Sequence, residues 1–190
     1  MSVIQLENYE ITVIRTKRKT ADLKILPDGT LILRAPLFAK DSQLRPILEK
    51  RLPWIRAHVQ PILDAQKQPY YTTEELQYFT EQAKILLAQR TAYYAEKIGV
   101  SYGKITVRCQ KTRWGSCSSN GNLSFHCLLA DMPIEVLDSV VVHELCHRKE
   151  MNHSAAFYAE ILRVFPMYPK WNDWLKTYGP AYLYRIPPKK

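Results

Sequence analysis

The apolar positions along this chain change their period several times, and each change predicts an element. Near the N-terminus YEITVIR (9–15) alternates at period two, the pattern of a strand with one buried face. ADLKIL and TLILRA flank Pro27-Asp28-Gly29, a turn in which proline presets φ and glycine supplies a positive one. Residues 1–36 therefore predict a small antiparallel sheet. From Asp41 the spacing becomes helical: DSQLRPILEKRLPWIRAHV (41–59) starts at a capping Asp41 or Ser42 and carries Pro46 and Pro53 as disturbances. Gln66 to Tyr71 is polar, contains a proline and suits a link between lobes.

Beyond that link, Leu76, Phe79, Ala83, Leu86, Leu87, Tyr93, Tyr94 and Ile98 form one apolar stripe. They predict a helix from Glu74 to Ile98, capped by Thr73, closed by Gly99 and acidic in its first turn as the dipole favours. KITVRC (104–109) and LSFHCLL (123–129) predict strands of an open hairpin whose loop is Lys111 to Ser119, with an Asn-Gly turn in SSNGN (118–122). Pro133 then opens a helix through Val136, Leu137, Val140 and Val141 to about Lys149, and two more helices follow near 154–165 and 171–178. This order is that of an α+β chain. It divides into a β-rich lobe with its following helix (1–65) and a second region (66–190), unless the two fold as one integrated domain.

Composition narrows the class. Hydrophobic residues at 46% and charged residues at 24% fit a folded globular chain, not a disordered one. No window approaches 18 uncharged apolar residues, so no membrane span is expected. MSVIQLENYE lacks a basic region followed by an apolar one, which reads as no secretory signal and a cytoplasmic address. Cys109, Cys117, Cys127 and Cys146 form no C-x-x-C pair and read as free thiols. The net charge of +9 is concentrated at the ends: 11 Lys/Arg against 6 Asp/Glu in residues 1–60, and 6 against 2 in 154–190. That distribution suits a nucleic acid or another polyanion as a partner. Nothing in the chain predicts its oligomeric state.

The chemistry concentrates in VVVHELCHRKEMNHS, Val140 to Ser154. His143 and His147, four apart, share one face of a helix, and neutral imidazoles suit Zn²⁺. Glu144 is turned about 100° away around the axis, placed to act as a base on water rather than as a ligand. The approach VLDSVVV is apolar, so the helix is buried, and a buried His-Glu-His group without a metal would be costly. A catalytic zinc takes three protein ligands. His153 lies at the second-to-third spacing of H-E-x-x-H-x-x-G-x-x-H, with Glu150 in place of the glycine and Asn152 as the expected left-handed turn residue. Glu160 and Asp173 are rival third ligands.

RWGSCSSNGNLSFHCLL, followed by VLDSVVVHELCHRKEMNHSAAFYAEI, a proline and a WLK end, resembles the YgjP-like metallopeptidase family, a zincin group similar to SprT-like and WLM metalloproteases. RTKRKTADLKILPDGTLILRAP resembles that family's leading strands, so the likeness spans nearly the whole chain. The resemblance implies a zincin-like catalytic domain, with a short antiparallel sheet and an HExxH helix, preceded by a small N-terminal β lobe. It implies one Zn²⁺ per chain held by His143, His147 and His153, with Glu144 as catalytic base, and an Arg113–Cys117 segment near the metal. His126 departs from the asparagine expected in that strand.

Arg113, Trp114, His126 and Tyr158 are candidate substrate contacts: a carboxylate or phosphate fork, its stacking neighbour, an orienting imidazole and a hydrogen-bond donor. The expected activity is a zinc metallohydrolase acting on peptide or protein. Two alternatives use the same site: a nucleotide or phosphate-anhydride hydrolase, prompted by Arg108, Lys111 and Arg113, and a nucleic-acid-associated protease of SprT-like type.

Overall fold

A computed structural model describes residues 1–188. Met1–Tyr70, together with residues 177–188, forms one compact unit, and Tyr71–Lys176 forms a second. The first unit starts with four strands: β1 (Ser2–Leu6), β2 (Tyr9–Thr16), β3 (Asp22–Ile25) and β4 (Leu31–Pro36), ordered β1-β2-β4-β3. The sheet is mixed, not purely antiparallel. β1 pairs antiparallel with β2 and β3 with β4, while β2 and β4 run parallel with Ile11 opposite Leu31 and Val13 opposite Leu33. The Pro27-Asp28-Gly29 turn makes only the β3–β4 hairpin, with Gly29 at φ 84°. The residues between β2 and β3 carry the chain across β4, which sequence periodicity does not reveal.

Alternation puts Ile4, Leu6, Ile11, Val13, Leu23, Leu31, Leu33 and Ala35 on one buried face. Helix α1 covers it with Leu44, Leu48, Ile55 and Val59. α1 runs from Asp41 to Gln66, longer than the expected 41–59, and passes through Pro46, Pro53 and Pro61. Pro46 and Pro53 are exposed, so the carbonyls they leave without a helical partner face water, and burial of the opposite face outweighs that loss.

The second unit is built on α2 (Thr73–Ile98), α3 (Ile134–Cys146), α4 (Ala155–Val164) and the first half of α5 (Tyr168–Tyr184), with a three-stranded sheet. α2 begins with a capping box one residue earlier than expected: the Thr72 hydroxyl accepts from Glu75 N–H at 3.1 Å and Thr72 N–H donates to the Glu75 carboxylate at 2.7 Å. It stops at Gly99, whose φ of 76° closes the helix. The sheet is ordered β5 (Ile105–Arg108), β7 (Leu123–His126), β6 (Gly115–Cys117). β5 and β7 are parallel, and the hairpin is β6–β7 around the Asn120-Gly121 turn, with Gly121 at φ 78°. The segment expected as a loop therefore supplies the edge strand. The α+β class holds. No helix among the described residues is long and apolar enough to cross a membrane.

Candidate metal centre and catalytic cleft

α3 is positioned by one polar anchor within an apolar surround. Asp138, 5% exposed at its side chain, accepts from Arg90 Nε at 2.6 Å and from the Tyr94 hydroxyl at 3.0 Å, and Arg90 Nη2 completes a two-pronged ion pair. This ties α3 to α2 just over one turn before His143. Val136, Leu137, Val141, Val142 and Leu145 are fully buried around it.

The three histidines come together. Their ring centroids form a nearly equilateral triangle, with His143–His147 at 5.0 Å, His143–His153 at 5.0 Å and His147–His153 at 4.9 Å. One nitrogen from each lies within 4.8 Å of the other two. His147 Nδ1 donates to the Glu150 carbonyl at 3.1 Å, which assigns its proton to Nδ1 and leaves Nε2 with a free lone pair. His143 Nδ1 meets the Tyr168 hydroxyl at 2.8 Å, and with the proton on Nδ1 the same assignment follows. His143 Nε2 and His153 Nε2 are 3.1 Å apart, close to the roughly 3.3 Å between ligand nitrogens of a tetrahedral site with bonds of about 2.0–2.1 Å. Burial, helped by the neighbouring imidazoles, takes His143 down to about 4, and burial also lowers His147. Both are thus neutral donors at neutral pH, the form a divalent cation requires. The donor set fits such an ion.

The chain reversal that delivers His153 differs from the expected one. α3 ends at Cys146, with a tightened turn in which Arg148 N–H donates to Leu145 O and Lys149 and Glu150 N–H to Cys146 O. Asn152 is not left-handed, because among the described residues Glu7 is the only non-glycine with positive φ. The Glu150 carbonyl, bonded to His147, instead stabilises the corner, so glutamate serves where a glycine stood in the longer motif. Ser154 then caps α4, accepting from Phe157 N–H at 3.2 Å. Phe157, fully buried, lies under all three imidazoles at 4.6–5.0 Å. The rival ligand Glu160 is committed elsewhere, to Lys149 at 2.6 Å and Arg163 at 2.7 Å, which hold its carboxyl down to about 2. Neither it nor Asp173 belongs to the histidine cluster.

Beside His143 a cavity of about 180 Å³ is lined by Trp114, Gly115, Ser139, Val140, Glu144, Tyr168, Asn172 and Leu175. Glu144 is 6% exposed, and burial pushes its carboxyl up to about 7, opposed by the charge of Arg113. Edge strand β6 reaches this carboxyl through a glycine: a Cβ on Gly115 would meet Glu144 Oε1 at 2.5 Å and Cγ at 2.7 Å. The glycine of RWGSC is thus the residue that lets Glu144 lie along the strand.

The candidate contacts separate. Trp114 lines the cavity, Arg113 is exposed but acts on Glu144 through its charge, and Tyr158 sits 42% exposed with its ring 6.3 Å from that of His153. His126 does not reach the cavity. It is fully buried: Nδ1 accepts from Leu128 N–H at 3.1 Å and Nε2 donates to the Gln110 carbonyl, while its ring stands edge-on to Trp114 at 4.8 Å. Burial takes it down to about 4. Its place is structural, beneath the tryptophan. Tyr168 and Phe157 are the neighbours that the motifs leave out, while Gly115 lies in the Arg113–Cys117 segment that the resemblance places near the metal. The spacing of Phe157 four residues after His153 was the one available signal.

No curated protein sequence matches the chain. Among solved structures, the crystal structure of the metallopeptidase zymogen of Pyrococcus abyssi abylysin is similar, with 22% identity and a TM-score of 0.45 over 48% of this chain and 92% of that one. The pattern of the YgjP-like metallopeptidase domain matches residues 73–178, which contain both the histidine triangle and the cavity. The chain belongs to the YgjP-like metallopeptidase family.

Proposed function

We propose that the chain is a zinc-dependent peptidase in which His143, His147 and His153 hold one Zn²⁺ through their Nε2 atoms and Glu144 is the general base. The carrying observation is the triangle of imidazoles closed at 3.1 Å between His143 and His153 Nε2, beside a buried carboxylate on the cavity wall. Bound there, zinc would supply a Lewis acid that polarises a peptide carbonyl and acidifies a water. All remaining work falls to side chains. Glu144 takes a proton from the attacking water on its carboxylate and passes it to the departing amine nitrogen. Its burial favours the protonated form that this transfer needs midway, and the Arg113 charge keeps the starting carboxylate accessible.

The Tyr168 hydroxyl and the Glu150 carbonyl hold the ring angles of His143 and His147, and the carbonyl fixes the His147 tautomer. Trp114, Val140 and Leu175 give the cavity apolar walls that restrict water, and Asn172 and Ser139 add polar atoms among its lining residues. The Glu144→Gln variant should keep stoichiometric zinc and lose casein hydrolysis. Hydrolysis that survives in that variant would refute the assignment of the base. Running nucleoside triphosphates beside casein on the wild type separates a peptidase from a phosphate-anhydride hydrolase.

A further inference from the structure

Away from the histidines, the ends of the parallel pair β5 and β7 carry a second cluster. Arg108 pairs with His126 as the last rung of the ladder. One step further, the chains place Cys109 and Cys127 side by side, and their sulfurs lie within 4.8 Å of each other and of a His126 nitrogen. The His126 ring is not free to serve this cluster as a ligand, because both nitrogens are already engaged, by Leu128 N–H and the Gln110 carbonyl. What remains is a pair of thiols with unequal access: Cys109 is exposed and Cys127 is fully buried. The Cys127 side chain beside it and the charge of Lys111 lower the Cys109 thiol from its ordinary value, opposed by partial burial. Thiolate character and access thus fall on the same sulfur, with a resolving thiol beside it. The spacing suits a bond: the two residues directly follow the last paired rung of β5 and β7 and their sulfurs lie within 4.8 Å, a gap that side-chain rotation and a small backbone shift can close.

We propose that Cys109 and Cys127 are a redox-active pair that a peroxide converts to a reversible disulfide, and that this bond clamps the loop leading to Trp114 at the cavity wall. The Cys109 thiolate attacks one peroxide oxygen, breaking the O–O bond and forming a sulfenic acid, while the other oxygen leaves as water after taking up a proton. The Cys127 sulfur then attacks the Cys109 sulfur, loses its own proton and displaces a second water. Two thiols are oxidised by two electrons and one peroxide is reduced to two waters. The bond encloses Gln110 through His126, which includes Arg113, Trp114 and β6. Two links couple it to the cavity. Gln110, adjacent to Cys109, bonds His126, and His126 stands edge-on against Trp114.

The test treats the reduced full-length protein with hydrogen peroxide, maps its peptides without reductant and follows backbone hydrogen exchange. A Cys109–Cys127 cross-linked peptide, lost on adding dithiothreitol, absent from Cys109→Ser and retained in Cys117→Ser, is the expected result. Exchange in residues 110–117 should slow several-fold in the oxidised form and revert on reduction. The exposed Cys109→Ser variant should fold normally, which secures the comparison even if Cys127→Ala does not. Oxidation of Cys109 to sulfinic acid with Cys127 still alkylatable, or a cross-link from Cys109 to Cys117, would overturn the pairing. A correct cross-link with unchanged exchange in 110–117 would overturn the clamp.

Discussion

Replacing Tyr168 with phenylalanine removes one oxygen and little else. That oxygen meets His143 Nδ1 at 2.8 Å, on a residue only 6% exposed, so no water easily takes its place. In the zinc-free protein the cost is that of one buried hydrogen bond, about 0.5–1.5 kcal/mol, and the ring can turn or change tautomer to recover some of it. With zinc on Nε2 the proton must stay on Nδ1, and without Tyr168 that N–H is left buried and unpaired. Loss of such an outer partner costs about 10–100-fold in affinity, or about 1.4–2.7 kcal/mol. Zinc affinity should be measured by competition with a chromogenic chelator for wild type and Tyr168→Phe, and thermal unfolding of the chelated proteins run alongside. The reasoning requires a weaker zinc complex by at least tenfold with only a small drop in zinc-free stability. Equal zinc affinities within about twofold would show that the hydroxyl does not orient the ligand.

Other consequences follow from the same contacts. Gly115→Ala puts a methyl group 2.5 Å from Glu144 Oε1, so it should displace the carboxylate and cut peptidase turnover by about 100-fold while zinc content is kept; a rate near wild type would mean Glu144 works from another position. Arg90→Met leaves the Asp138 carboxylate buried without its partner, and urea unfolding should report a loss of about 3–5 kcal/mol. Acid should weaken the fold through His126, whose pKa lies near 4 when folded against an ordinary 6.5. Its contribution is present above pH 6.5 and lost as pH falls to about 4, because the unfolded chain gains a proton that the folded one refuses, a difference of about 3 kcal/mol. His126→Gln should flatten the stability-against-pH slope across that window, and an unchanged slope would remove this account.

The parts of this site that sequence made legible are those set by one helix. His143, Glu144 and His147 need only the helical period to be placed relative to one another, and the buried approach through Val140–Val142 shows in the residues themselves. The strands were legible as strands, but their partners were not. Period two reports which face is buried and is silent on whether the neighbour runs parallel or antiparallel, so both sheets hid a parallel pair. Gly115–Cys117, three residues long, is too short to show a period at all. Asn152 illustrates a different failure. A left-handed residue is the commonest way to leave a helix, but a carbonyl at Glu150 with an imidazole donor at His147 provides another.

The same contrast explains why the supporting residues surfaced only in three dimensions. Tyr168 reaches His143 from α5, Phe157 reaches the histidines from α4, and Gly115 reaches Glu144 from an edge strand. Apart from Phe157, four residues after His153, these partners lie far along the chain from the groups they touch, because each depends on how elements pack. Yet each has a local reason to be what it is. A hydroxyl is needed where a ring nitrogen carries a proton in a dry place, an apolar ring where three imidazoles need a floor, and a missing side chain where a carboxylate passes a strand. A metal bound at the triangle must therefore be coupled to the packing of α3, α4 and α5, since the groups that orient the ligands are also core residues such as Phe157 and Tyr168. Stability and metal affinity in this unit should move together for Phe157 substitutions and apart for Glu144 ones, which change the chemistry without touching the triangle's support.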